Sequence, residues 1–189
     1  VSDAIVRNNV IFNCSVTGIT AAPHAAVPQM RNVRIVNNTI VNHPKGVMIR
    51  WAEATEMIFS NNAVYCPDQV AVDAVGVERQ TLSANYVSGR LAGARIDGNR
   101  FHDGTSPAEV FADPGEHDYR LESDSILIGA ANPEFAPPWD FTGKVREMPF
   151  DVGAYESEEA GQQGESRNLA GPRPFRAALL EVYFFPRRY

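Results

Sequence analysis

Six charged side chains, Lys45, Arg50, Glu53, Asp73, Glu78 and Arg79, fall within one stretch of the sequence and pose the first chemical question. A lysine or arginine can neutralise an acid, and a carboxylate within hydrogen-bond reach can move a proton. Lys45, Arg50 and Asp73 are therefore the candidate catalytic residues, although Lys45 follows His43-Pro44 and also reads as a solvated corner residue. Arg50 stands next to Trp51, whose ring can stack on the C–H face of a pyranose, and these two are the candidate substrate-binding pair. Glycoside hydrolysis needs two carboxylates about 5 to 10 Å apart. Asp73 and Asp97 are the expected pair, without a recognisable motif around either. The run Asp97, His102, Asp103, Glu109, Asp113, Glu116, His117 and Asp118 is acidic with two histidines but contains no DxDxDG-type loop. No metal ligands are assigned and no cofactor is expected, Ca²⁺ being the one ion such a run would admit.

Composition limits what these residues can serve. Of 189 residues, 44% are apolar, 21% charged and 10% aromatic, which suits a single soluble domain with a sizeable core. No apolar run approaches the roughly 20 residues of a membrane span. Val1-Ser2-Asp3 shows neither an initiator Met nor a signal peptide, so a processed or truncated chain is expected. The balance of 17 basic to 23 acidic residues, net −6, provides no basic field for a polyanion, and nucleic acid is not an expected partner. Two cysteines, Cys14 and Cys66, make no disulfide framework and are expected to be free, buried thiols.

The elements that must position these residues come from an internal repeat. AIVRNNVIFN (from Ala4), NVRIVNNTIVN (from Asn32), EMIFSNNAVY (from Glu56) and ARIDGNRFH (from Ala94) share the frame apolar, x, Asn/Gly, Asn, x, apolar, with LSANYVSG (from Leu82) a weaker copy. Taking Asn9, Asn38, Asn62, Asn85 and Asn99 as equivalents, the separations are 29, 24, 23 and 14 residues, the last too short for a full coil. Either Asn85 or Asn99 must lie off the column. A period near 24 with β-branched, alternating segments predicts a solenoid in which each coil adds one rung to each sheet. Asparagine suits a corner because it tolerates φ > 0 and its amide can bond its equivalents above and below. Asn9, Asn38, Asn62 and Asn99 are thus expected to form a structural ladder, and the N-x-S/T matches at Asn13 and Asn37 are read as corners rather than glycosylation sites.

NNVIFN, NNTIVNHPKGVMIR and FSNNAVYC resemble the coils of bacterial right-handed parallel β-helix proteins, the group that includes pectate-lyase-like enzymes. The stretch Glu109–Glu156 is similar to the terminal block of that family, with its "dP" turn, "DyrL...S" strand, "D..G..R" segment and final D-hydrophobic-GAyE. The resemblance implies an all-β fold of about five coils, with a C-terminal cap and an appended tail. It also implies a setting outside the cell: extracellular, periplasmic or at the surface. Relatives that act as lyases pair a cation that neutralises a uronate with a Lys or Arg base, often with Ca²⁺, and Lys45 and Arg50 are the residues here that could take those parts.

Within the closing block Asp140, Gly143 and Arg146 are expected to form an Asp–Arg fork that pins an irregular segment. Asp151 to Glu156 is expected to lay a last strand on the stack, with Asp151 accepting backbone N–H groups and Tyr155 covering apolar side chains. The organisation expected is coils over 1–108, a closing coil and cap over 109–156, a flexible Gly/Ser/Glu/Gln-rich linker over 157–174, and an apolar tail, FRAALLEVYFFPRRY, over 175–189. The first coil enters with no cap, so the chain is expected to be a fragment or an assembly subunit that meets another protein chain through that coil or through 175–189. The function expected is carbohydrate-directed, a polysaccharide-binding module or the remnant of a lyase-like enzyme, with catalysis left open. The alternative is a structural or assembly subunit without catalytic activity.

Overall fold

The computed structural model describes residues 2–22, 30–93, 100–101 and 106–158. Its coils are built from β1 (Ser2–Arg7), β2 (Val10–Phe12), β3 (Thr17–Ala21), β4 (Arg31–Val36), β5 (Thr39–Val41), β6 (Lys45–Arg50), β7 (Ile58–Ser60), β8 (Ala63–Val75), β9 (Thr81–Ser83), β10 (Tyr86–Gly93) and β11 (Arg100–Phe101). Each strand pairs in parallel with its equivalent one coil away. One sheet runs β1-β4-β7-β9, and a second runs β2-β5-β8-β10-β11, with β3 and β6 joining it along the second half of β8. This is the parallel β-helix that the repeat predicts, with about three turns rather than five. The difference arises because four ladder rungs enclose three full turns, and among the described residues after Gly93 only the two-residue β11 joins the stack.

Alternation places one row of side chains inside at each sheet. Ile11, Ile40, Val64 and Val87 lie in register on β2, β5, β8 and β10, each no more than 1% exposed. Burying such a side chain stabilises by about 1.5–3 kcal/mol relative to leaving it in water, so this row holds the coils together sideways while the backbone ladders hold them vertically. Gly46 has a steric reason: a Cβ there would lie 2.4 Å from the Ala71 carbonyl oxygen and 2.7 Å from Val64 Cγ1. The backbone beside Lys45 can therefore press against the next coil only without a side chain.

The corner asparagines divide the two tasks that the sequence reading gave to one residue. Asn8, Asn37, Asn61 and Ala84 take φ of 52°, 50°, 57° and 51°, making the left-handed bend. The residues that follow them form the ladder. The amide of Asn9 donates to Asn38 Oδ1 at 2.8 Å, that of Asn38 to Asn62 Oδ1 at 2.9 Å, and that of Asn62 to Asn85 Oδ1 at 2.9 Å. Asn85 thus belongs to the column, and Asn99 lies outside the described residues.

The closing block is two 3₁₀ turns, Pro107–Glu109 and Pro114–Glu116, a hairpin of β12 (Phe111–Asp113) with β13 (Asp118–Leu121), and a long irregular segment. It clothes a flank of the solenoid. The outward side chains Val10, Phe12, Val41, Ala63, Tyr65 and Tyr86 pack with Val110, Phe111, Tyr119, Leu127, Val152, Ala154 and Tyr155 in a second core. Residues 151–156 accordingly form no strand on the stack. They cross the corners instead: Gly153 N–H donates to the Asn61 carbonyl and Ala154 N–H to Thr39 Oγ1, both at 2.9 Å, while the Asn37 amide donates to the carbonyls of Asp151 and Gly153. Asp151 does accept backbone N–H groups, from Gly129 at 2.7 Å and Ser157 at 2.6 Å. Tyr155 is buried against Phe141, as expected of a cover.

The Asp140–Arg146 fork is not formed. Asp140 Oδ1 accepts from the N–H groups of Thr142 and Lys144, and Oδ2 accepts from the Glu156 N–H, so the carboxylate closes its own turn. The Arg146 guanidinium, 4% exposed, pairs with Glu156 at 2.7 Å and donates to the Gly153 carbonyl at 2.8 Å. Burial lowers the pKa of Arg146 and raises that of Glu156.

Candidate functional site

Lys45, Arg50 and Asp73 come together on the outside of the flank formed by β3, β6 and the second halves of β8 and β10. The register Thr20–Met48–Asp73–Ala92 sets Asp73 in the middle of this face, and Thr17–Lys45–Val70–Arg90 sets Lys45 on a parallel row. Asp73 Oδ2 accepts from Lys45 Nζ at 2.8 Å and from Arg50 Nη2 at 2.9 Å. Arg50 Nη1 also donates to the carbonyls of Ile49 and Asp73 at 2.8 and 3.1 Å, which lays the guanidinium flat along the sheet. Hydrogen bonds from Arg50 and then Lys45 hold the Asp73 carboxyl below the usual carboxylate range. It is therefore a weak base. Two partly exposed cations share one carboxylate, which leaves a positive charge and donor positions turned to solvent. Such a cluster can bind and orient an anion.

Trp51 does not form a sugar platform. It continues the inward row Val47, Ile49, Trp51 and is fully buried in the solenoid core. Glu53, Glu78 and Arg79 separate from the cluster and line an open groove of about 700 Å³ at the next corner, with Thr55, Glu56 and Gln80. Gln80 ties its walls together, accepting from the Met57 N–H at 3.0 Å and donating to the Ala54 carbonyl at 2.8 Å. Asp97, the second carboxylate of the expected hydrolytic pair, lies outside the described residues, as do His102 and Asp103. No group of three or more His, Cys, Asp or Glu among the described residues is placed to share a metal ion, and no described helix is long and apolar enough to cross a membrane.

Sequence reasoning missed two residues. Arg90 stands two rungs from Lys45, about 9.6 Å at the usual strand spacing, is exposed, and makes no hydrogen bond or ion pair among the described residues. Its offset from Asn85 is 5 residues whereas Lys45 lies 7 from Asn38. A bulge around Arg90 hides the equivalence. His43 is the other: its Nδ1 accepts from the Cys14 N–H at 3.1 Å, leaving Nε2 to donate to the Ile11 carbonyl at 3.2 Å. A neutral, fully buried imidazole thus fastens coil one to coil two, and burial lowers its pKa. Cys14 and Cys66 are free and buried, and burial pushes the Cys66 thiol up to about 11.

Comparison with protein families, with characterised proteins and with solved structures gave no match to this chain.

Proposed function

We propose that the chain is a carbohydrate-directed β-helix module that binds an acidic polysaccharide along the β3–β6–β8–β10 flank without cleaving it. The observation that carries this reading is the shared carboxylate: Asp73 fixes Lys45 and Arg50 at 2.8 and 2.9 Å while neutralising only one of them. Arg90 extends the cations along the stack. A flat flank of parallel strands offers the same chemistry at successive rungs, which suits an extended polymer whose acidic groups also recur. Cleavage by proton abstraction needs a base with a basic lone pair, and Asp73, held below its usual range by two cations, is a poor one. The resemblance of NNTIVNHPKGVMIR to bacterial pectate-lyase-like coils supports the remnant of a lyase-like surface and a setting outside the cell.

A second reading, a structural or assembly subunit, is favoured by the edges of β1, β2 and β3, which pair on one side only among the described residues. Unpaired edges invite another chain. Incubation with polygalacturonate, alginate and a glycosaminoglycan distinguishes the readings. Retention on these polymers, with no rise in absorbance from an unsaturated product, is expected. A product that disappears in Arg50→Ala would restore the enzymatic reading, and failure to bind any of them would favour the assembly subunit.

A further inference from the structure

The closing block presents an apolar face whose residues lie outside the two core clusters, with Phe141 at its margin meeting Tyr155 edge to face. Trp139 and Val145 face each other across an antiparallel bridge, and Trp139, Phe141, Val145 and Met148 are 52%, 36%, 57% and 74% exposed. The loop beneath them is firmly built. Asp140 N–H donates to the Lys144 carbonyl at 2.9 Å, Arg146 N–H to the Pro138 carbonyl at 3.0 Å, and Phe141 N–H to the Ala154 carbonyl at 2.8 Å. The buried side chains Asp140 and Arg146 anchor it from below, so its apolar residues are held outward on a rigid support.

The described chain ends beside this face. Ser157 is held there from both sides, its carbonyl by Lys144 Nζ and its N–H by Asp151 Oδ2. Further along the sequence is FRAALLEVYFFPRRY, residues 175–189, in which ten of fifteen side chains are apolar. The charges are complementary as well: residues 106–158 carry twelve acidic and three basic side chains, whereas 175–189 carries three arginines and one glutamate.

The geometry points to docking of residues 175–189 on the Trp139–Phe141–Val145–Met148 face of the same chain. The intervening residues 159–174 are rich in Gly, Ser, Glu and Gln, and a Gly-rich flexible tether of 16 residues would reach about 20–24 Å. A tether of that length gives an effective concentration in the millimolar range, which favours the chain's own segment over a second copy at micromolar concentration. The apolar side of 175–185 would cover the hairpin, with Arg187 and Arg188 falling on acidic surroundings such as Glu147. This surface lies on the closing block, away from the cationic flank, and its occupation is independent of polysaccharide binding.

The protein's two tryptophans make the test direct, because Trp51 is fully buried and Trp139 is not. In the full chain acrylamide should quench Trp139 weakly, and the double substitution Phe184→Ser/Phe185→Ser should raise that quenching several-fold. Trp139→Phe supplies the Trp51 background. Equal quenching with and without the two phenylalanines would overturn the proposal. A photoreactive benzoylphenylalanine placed at position 148 of the otherwise unchanged chain gives a second reading. Cross-links to 175–185 within one chain are expected, while cross-links only between chains, accompanied by a dimer in light scattering, would show that a second copy is the occupant and the proposal wrong.

Discussion

Asn38 shows how one side chain serves three coils. Its amide donates to Asn62 Oδ1 in the next coil and to the Val6 carbonyl in the previous one, while its Oδ1 accepts from the Asn9 backbone and side chain. Asn38→Ala leaves several buried groups unpaired and should cost about 1–3 kcal/mol. Asn9→Ala, at the half-buried end of the ladder, should cost less, and urea denaturation of the two variants checks the order. His43 yields a pH dependence of definite sign. Its folded pKa lies below 6.5, so the unfolded chain binds the proton more readily. The stability contributed by the neutral imidazole is complete above pH 6.5 and is lost as the pH falls through that value toward the folded pKa. Wild type should therefore lose more stability than His43→Gln between pH 7.5 and 5.5. Glu156 works in the opposite sense, since its raised pKa makes acidification favour the folded form, and it cancels in the comparison because both proteins contain it. Parallel stability profiles for the two proteins would show that His43 does not titrate as argued.

At the scale of elements, the coils were more legible than what covers them. The Asn frame and its 23- and 24-residue spacings translate directly into stacked corners, since a ladder needs like residues at like positions. The same arithmetic brings Asp73 within 23 residues of Arg50, one coil away, and the expected trio does meet. Two further signals lie in the sequence. The alternation Val47, Ile49, Trp51 already places the indole inside. VIF in β2, Ile40-Val41 in β5 and AVY at the start of β8 are apolar at successive positions, which marks strands buried on both faces and so a cover over the flank. What local sequence does not encode is that Arg146 would choose Glu156, 10 residues on, over Asp140, because that choice depends on where the block docks. Docking in turn depends on Gly153, whose φ of 98° strains any other residue and where a Cβ would lie 2.9 Å from Thr39 Oγ1. Gly153→Ala should loosen residues 107–156 at a cost of about 1–3 kcal/mol. Faster amide exchange confined to that block and to the outward rows of β2 and β5, with the ladder still protected, is the expected pattern.

For the whole molecule, charge is distributed by part. The closing block is strongly acidic, whereas the flank sets Lys45 and Arg50 on one carboxylate and Arg90 two rungs from Lys45. Net charge of −6 therefore conceals a local cationic surface, and composition alone could not have revealed it. If that surface is the binding site, attraction to a polyanion is electrostatic and must weaken with salt, since partly exposed charges are screened over about 10 Å at 0.1 M ionic strength. The most direct measurement is calorimetric titration of polygalacturonate into wild type and into Lys45→Ala/Arg90→Ala at two salt concentrations, with a neutral glucan as reference. Wild type should bind the acidic polymer alone and bind it less tightly at high salt, and the double variant should lose about tenfold or more in affinity, about 1.4 kcal/mol. Equal affinity in the two proteins, or binding indifferent to salt and to polymer charge, would contradict the assignment of this flank.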